Sequence, residues 1–204
     1  MAKVSLDEKV VFSNVEYVRV TPWVIGSDNK LTLDDAKSKT YDLTAIVGDT
    51  LSIEQADNET NAIESELTDA PLIENITLGE KTFSLESIDM QNKILVGLFG
   101  WTEGTETEGE TGSVYAPVAY EHLYAMVEIA FHAHKNVIVL PKVLLNSRAV
   151  LASMKTDVSR ANITGTCYAA YVDGVNTDMA ILNNAKNTTS NVAVLQRVTN
   201  EKPV

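Results

Sequence analysis

Cysteine is nearly absent from this sequence, since Cys167 is the only one among 204 residues. A single thiol excludes an intramolecular disulfide framework and any metal site built from several cysteines. Nothing near Cys167 in the sequence would lower its pKa, as a histidine, a lysine or a helix N-terminus does for reactive thiols. We therefore expect Cys167 to be a small core residue without nucleophilic chemistry.

Long hydrophobic segments are missing as well. The longest apolar run, near residues 94–101, is too short to span a bilayer. The N-terminal sequence lacks the extended apolar region that a secretion signal has after its basic start. These two absences predict a protein without a membrane span that is synthesised in a cytosol.

Sequence motifs for catalysis are also lacking. The chain contains no Gly-x-Ser-x-Gly, no Gly-x-x-x-x-Gly-Lys and no dinucleotide-binding glycine pattern. Paired carboxylates occur, Glu64 with Glu66 and four glutamates within 103–110, but acid–base catalysis needs a partly apolar cleft that separates two pKa values. Glutamates in a Thr- and Gly-rich segment are solvated, so we predict no enzymatic activity and no cofactor.

Two patterns are weak candidates for metal binding. His132 and His134 share one face of a predicted strand with Glu128, and two imidazoles with a carboxylate can ligate a metal. Because the opposite face is apolar, the plainer interpretation is that these three residues lie on a wet or interfacial face. Asp57 begins a segment similar to a calcium loop, but the required glycine and the closing glutamate are absent. We predict no metal site.

The negative charge of the chain is concentrated in one region. The formal net charge is −12, and residues 51–110 alone hold 14 acidic residues against Lys81 and Lys93. Tight binding to a phosphate backbone requires clustered Lys and Arg, so sequence-specific recognition of DNA is disfavoured. A wall along which DNA slides without adhering is compatible with this acidity.

The acidic region includes an excursion at residues 54–74, with seven acidic residues and no basic one. Insertions of this length without structure are uncommon in compact domains and are usually functional or disordered. The excursion also contains apolar residues that need something to pack against, which in a self-assembling protein is a neighbouring subunit. We predict that four residues lie at the subunit interface: Ile63, Leu67, Leu72 and Ile73.

Most of the chain has the pattern of a mainly β protein. Val15 to Thr21 and a series of short segments after residue 114 are rich in β-branched and aromatic residues and are separated by polar breaks. Strands at this spacing predict a β-sandwich or barrel of antiparallel strands. Two hairpins are expected, one that pairs 41–47 with 50–55 and one that pairs 76–78 with 82–85.

One flanking α-helix is predicted at about residues 87–99. Ser87 or Asp89 can cap it, apolar residues recur on one face, and Gly100 can end it. Gly97 lies inside this helix, where the absence of a side chain would let the helix approach the sheet closely.

The length of the chain allows one sizeable core, so we interpret it as a single domain over 1–204 with long extended loops. Three segments depart from the strand pattern: the acidic excursion at 54–74, a low-complexity Thr/Glu/Gly loop at 102–112 and a C-terminal arm after residue 173. The loop has no apolar side chain, so it is either solvated or held by a partner.

A specific order of parts runs through residues 40–172. A strand ends at Thr50 to Glu54, the acidic excursion passes through Ala70-Pro71-Leu72-Ile73-Glu74, and the helix contains Ile94-Leu95-Val96-Gly97-Leu98-Phe99-Gly100. Later strands contain Val137 to Val143 and Thr164-Gly165-Thr166. This order resembles that of phage major tail tube proteins, a family that is recognised by architecture more than by invariant residues.

The resemblance implies a structural virion protein. Six subunits would close into a ring, and stacked rings would form the hollow tail tube that conducts phage DNA into the host. The partners would be further copies of the chain, other tail proteins and DNA in transient, non-specific passage. The implied location is the phage tail of the virion, after synthesis in the host cytoplasm, and an acidic inner surface would fit the located charge.

Two alternatives stay open from the residues. The related inner tube of a contractile injection system would carry effectors in place of DNA. A monomeric β-sandwich binding module, for example for carbohydrate, would need exposed aromatic residues clustered in a groove. Trp23 and Trp101 are far apart in sequence, which gives that alternative little support.

Overall fold

Antiparallel strands dominate the computed structural model, which describes residues 14–25, 31–33, 40–65, 68–103, 115–117, 123–131, 136–150, 158–182, 194 and 196–201. The strands are β1 Val15–Ile25, β2 Leu31–Leu33, β3 Tyr41–Leu43, β4 Ser52–Gln55, β5 Glu59–Ser65, β6 Thr68–Thr77, β7 Lys81–Ser87, β8 Trp101–Glu103, β9 Tyr115–Pro117, β10 Leu123–Phe131, β11 Val137–Val150, β12 Arg160–Tyr168, β13 Ala170–Val172, β14 Val175–Thr177, β15 Ala180–Leu182 and β16 Val198–Thr199. A short helix, α1, spans Asn92–Phe99. The predicted mainly β fold with one flanking helix is confirmed within the described residues.

The largest sheet contains nine strands, in the order β2-β1-β10-β11-β12-β7-β4, with β3 also paired to β1 and β15 to β11. Its longest strand, β11, pairs with two strands along the same edge. Residues 137–139 pair with β15, and residues 142–150 pair with β12. Beside this main sheet, β13, β14 and β16 form a three-stranded sheet, and β5/β6 and β8/β9 form two-stranded ones.

The central strand β10 is buried on both faces, because its alternating side chains enter two different apolar clusters. Val127, Ile129 and Phe131 join the larger cluster, which also contains the buried face of α1. Met126 and Ala130 join a smaller cluster on the opposite face. The C-terminal part of the chain covers that second face with apolar residues from β13, β15, β16 and position 194.

Helix α1 begins later than the sequence pattern predicted, at Asn92. The Ser87 hydroxyl donates to the backbone carbonyl of Ala45 at 3.1 Å, and the Asp89 carboxylate accepts two backbone N–H groups of the same loop at 2.8 and 2.9 Å. Gln91 occupies the N-cap position without a side-chain hydrogen bond. The prediction that Ser87 or Asp89 caps the helix is therefore wrong, because both side chains fix the loop that follows β3.

Gly97 places α1 directly against β3. A Cβ atom at this position would overlap with the ring and hydroxyl of the buried Tyr41. On the same side of the helix, Ile94 and Leu98 are fully buried. The close approach predicted for Gly97 is confirmed, and Gly100 ends the helix with a left-handed φ of 64°, which glycine adopts without strain.

We expect Gly97→Ala to lower the free energy of unfolding by about 1–3 kcal/mol, because overpacking against Tyr41 outweighs the better helix propensity of alanine. Urea denaturation followed by circular dichroism measures the change. Gly48→Ala is the control, since a Cβ at Gly48 meets nothing within 4 Å. Equal stability of the two variants would contradict this account of how α1 packs.

Neither predicted hairpin forms as expected. β3 pairs with β1 and β4 pairs with β7, so residues 41–47 and 50–55 are not partners. Residues 76 and 77 belong to β6, which pairs with β5, whereas residues 82–85 lie in β7 between β12 and β4. The alternating pattern located these strands, but contacts distant in sequence selected their partners.

The remaining excursions are described in part. The low-complexity loop at 102–112 lies outside the described residues after its first two positions, and β8 pairs with β9 across it. The described strands after residue 173 pair with other strands of the same subunit. β14 and β16 pair with β13, and β15 pairs with β11.

Candidate assembly site

The acidic excursion is the distal half of one long β-hairpin. Its proximal half is β4 paired with β7 at the end of the main sheet, and its distal half is β5 paired with β6. The backbone N–H of Ala56 donates to the carbonyl of Glu80 at 2.9 Å, and the Asn58 side chain accepts the N–H of Gly79 at 3.1 Å. Both hydrogen bonds join the two strands where the hairpin leaves the main sheet.

The distal hairpin, residues 59–77, pairs with no other strand among the described residues. At its base the side chains of Ile76 and Leu78 are 63% and 69% exposed. A two-stranded hairpin alone is marginally stable in water. Within the described residues, the backbone of this segment is therefore paired only with itself.

The backbone register places three of the four predicted interface residues on this hairpin. Ile63 and Ile73 are direct cross-strand partners, and Leu72 occupies the adjacent position of β6. Along the regular register of residues 73–77, Ile73 and Ile76 are three positions apart and so belong to opposite faces, which places apolar positions on both faces of the hairpin. Leu67 lies outside the described residues. The role of the four residues at a subunit interface stays a prediction.

Charge restricts what the hairpin can contact. The sequence from residue 54 to residue 80 contains eight acidic residues and no basic one, and Glu54, Asp57 and Glu59 are exposed. Two such hairpins side by side would repel each other. A partner surface for the hairpin must therefore offer apolar or basic groups.

Among the residues that the structure describes, the main sheet ends at β4 on one side, where β7 is the hydrogen-bonded neighbour of β4. The short strands β2 and β3 form the other end. An unpaired strand edge is a template for pairing with another chain. In β4 the edge is only four residues long, and Glu54 and Gln55 in it are exposed.

A polar cluster with a buried centre, on the second face of the main sheet, was not predicted from the sequence. It consists of Tyr17, Arg19, Asp42 and Glu128. Arg19 and Glu128 face each other in the β1–β10 register and are 8% and 3% exposed. Arg19 donates to both carboxylate oxygens of Asp42, at 2.6 and 3.1 Å, and the Tyr17 hydroxyl donates to Oε1 of Glu128 at 2.8 Å.

Burial raises the pKa of the Glu128 carboxyl, and the Tyr17 hydroxyl and the nearby Arg19 partly offset that effect. Nη1 of Arg19 lies 3.8 Å from Oε1 of Glu128, and Oε2 has no hydrogen-bond partner among the described residues. The interpretation of this face as wet is thus wrong at Glu128. The reason is tertiary, because the C-terminal strands cover the face that alternation alone would leave exposed.

Cys167 is a buried member of the larger apolar cluster, as expected. Its burial raises the pKa of the thiol to about 11, so the nucleophilic thiolate is scarce at neutral pH.

Within the part of the chain that the structure describes, no three His, Cys, Asp or Glu side chains are grouped to hold a metal ion. His132 and His134 lie outside that part. The described residues also contain no helix with the length and hydrophobicity to cross a bilayer.

No protein-family model and no curated protein matches this chain. A chain in the cryo-EM structure of the anti-feeding prophage baseplate, 6-fold symmetrised, is similar over 86% of this chain and 97% of its own length, with 13% identity and a TM-score of 0.42. A similarity of this size establishes neither a shared fold nor a shared function.

Proposed function

We propose that this chain is a structural, non-enzymatic virion protein that assembles with copies of itself into stacked hexameric rings. The rings form the hollow tail tube that conducts phage DNA into the host. The observation that carries this proposal is the distal hairpin, whose apolar positions lie on both faces and which pairs with no other described strand. Its partner is a neighbouring copy.

The sheet edges support the same proposal. Edge strands remain a liability unless they are paired or protected, and identical subunits that pair edge to edge in a closed ring leave no free edge. β4 at one end and β2 with β3 at the other supply two different edges in each copy. Contact between unlike edges is heterologous, which is the arrangement that generates rings.

The order of parts within residues 40–172 adds a further argument, since it resembles that of tail tube proteins. The strands, the acidic excursion and helix α1 occur in that order in the fold. The distal hairpin of each subunit would reach the adjoining subunit or ring.

Negative-stain electron microscopy tests this function. Purified protein at high concentration is expected to form rings or tubes. Assembly should increase from low to moderate salt, because ions screen the repulsion between acidic subunits over about 10 Å at 0.1 M. Analytical ultracentrifugation that found a strict monomer at every salt and protein concentration would overturn the proposal and favour a monomeric binding module.

A further inference from the structure

The distal hairpin leaves the body of the chain through a neck, which consists of residues 55–58 and 79–81. Lys81, the first residue of β7, pairs with Gln55 on one side and with Cys167 on the other. Beyond this row β12 ends, and the chain passes into β13 of a different sheet. Among the described residues, the neck past Lys81 therefore has no neighbouring strand.

The two strands of the neck are joined closely to each other. The backbone hydrogen bond from Ala56 to Glu80 links them, and a Cβ atom at Gly79 would overlap with the carbonyl group of Ala56. These contacts keep the hairpin together. They do not fix its direction relative to the body, because both partners in each contact belong to the neck itself.

Among the described residues, one side-chain ion pair ties the neck to a distant part of the chain. Nζ of Lys81 lies 2.6 Å from Oδ2 of Asp178, and the two side chains are 13% and 29% exposed. Asp178 lies in the connection between β14 and β15, which belong to different sheets. The Thr177 hydroxyl donates to the carbonyl of Met179 at 2.7 Å and accepts its N–H at 3.2 Å. The carboxylate that binds Lys81 is thus held on the body.

We propose that Lys81 and Asp178 are positioning residues that set the direction in which the distal hairpin leaves the body. The use of this direction in assembly rests on the proposed function. A two-stranded ribbon twists over a wider range than a larger sheet. Ordering a mobile arm when it binds costs free energy, so an arm that already points in one direction binds a neighbouring copy more tightly.

The same ion pair offsets repulsion at the neck. Lys81 is the first basic residue after the eight acidic ones of residues 54–80. The charges of Asp178, Lys81 and Glu80 all act on the buried Cys167 thiol, so the three groups lie close to it. Without Lys81, the carboxylates of Asp178 and Glu80 would repel each other with no cation near them. Because the pair is largely shielded from solvent, salt screens it less than an exposed pair.

Distances between two spin labels in the unassembled chain test the inference. Thr68→Cys at the far end of the hairpin and Asn146→Cys on the exposed surface of β11 carry the labels, while the buried Cys167 stays unlabelled. Double electron–electron resonance should give one narrow distance distribution. Lys81→Met keeps the apolar stem and should broaden the distribution roughly twofold, since the ribbon then twists at its base. Asp178→Asn breaks the same pair from the body side and should broaden it equally.

Charge reversal provides the rescue. Lys81→Asp combined with Asp178→Lys restores the pair with the same summed side-chain length, so the narrow distribution should return, whereas Lys81→Asp alone should stay broad. Arg160→Met is the matched control. It breaks the ion pair of Arg160 with Glu86 at the other end of β7, where the side chains are 30% and 27% exposed, and should leave the distribution narrow.

Assembly of the same variants gives the second measurement. At a fixed protein concentration, Lys81→Met should form about tenfold less tube than the unmodified chain, and the charge reversal should recover the loss. Circular dichroism verifies that each variant is folded. A distance distribution that stays narrow in both Lys81→Met and Asp178→Asn would overturn the inference and leave the tube function standing. Failure of the unmodified chain to form rings or tubes would overturn the function, and the label distances would still decide whether the pair positions the hairpin.

Discussion

Simultaneous replacement of Leu72 and Ile73 by aspartate should abolish rings and tubes while the body of the chain stays folded. Burial of a Leu or Ile side chain contributes about 1.5–3 kcal/mol, so the pair supplies on the order of 3–6 kcal/mol at each contact, at least a hundredfold in affinity. The double variant removes two neighbouring apolar side chains from β6 and adds two negative charges to a hairpin that is already acidic. Electron microscopy and sedimentation measure assembly.

Asn61→Asp combined with Asn75→Asp is the matched control for this experiment. Asn61 and Asn75 are cross-strand partners on the same hairpin, and the control adds the same two negative charges at polar positions. We expect the control to assemble with a modest loss that added salt restores. Unchanged thermal unfolding of both variants would show that the body is intact. Tubes formed by the Leu72 and Ile73 double variant would disprove the interface assignment.

Arg19→Met should destabilise the folded chain by about 3–5 kcal/mol at neutral pH. The methionine keeps most of the apolar stem but leaves the carboxylate of Glu128 buried without a nearby cation, and an uncompensated buried charge carries a cost of that size. Arg19 and Glu128 are both almost fully buried, so solvent does not replace the lost partner. Urea denaturation provides the measurement.

The dependence of this loss of stability on pH identifies its cause. Burial already raises the pKa of Glu128, and loss of Arg19 removes an interaction that lowers it. Below the unfolded-state pKa, near 4.5, Glu128 is protonated in both states and the penalty disappears, whereas the penalty grows as pH rises through the folded-state pKa. The deficit of Arg19→Met should therefore be larger at pH 7 than at pH 4. A loss of stability that does not change with pH would show that packing alone causes it.

Arg197→Met is the control for the buried ion pair. Arg197 binds the carboxylate of Asp173 with two nitrogen atoms, but both side chains are exposed to solvent, at 42% and 48%. Exposed ion pairs contribute about 0–1 kcal/mol, so this variant should lose little stability. An equal loss of stability in Arg197→Met and Arg19→Met would show that burial does not set the cost of removing the arginine.

Local patterns in the sequence were sufficient for several elements of the fold. The β-branched segment at residues 15–21 lies in β1, although that strand continues through Pro22 to Ile25. The segment after residue 136 lies in β11, and the run ending at Gly100 became α1. The close packing of α1 against the sheet at Gly97 could be predicted, because a glycine inside an apolar helix face lets the helix approach its neighbour. In each case the signal lies within about ten residues, the range over which side-chain periodicity operates.

The candidate assembly site was predicted in part. The acidic composition of residues 54–74, with apolar residues interspersed, predicted a segment that packs against a neighbouring subunit. In the structure, most of this segment is a hairpin whose two strands pair with each other. The pairing of β4 with β7 and of β5 with β6 could not be foreseen, since strand partners depend on which edges remain free after the core forms.

The sequence by itself determined the fold class, the location of the helix, the regional acidity and the hydrophobic nature of the Cys167 position. Each of these follows from composition or from a short-range pattern. Only the tertiary structure decided strand order, the burial of Glu128 beside Arg19 and the alignment of Ser52, Ser84, Thr164 and Asn146 in one row. These features depend on register between strands up to about a hundred residues apart, and register is set when the whole sheet packs on its core.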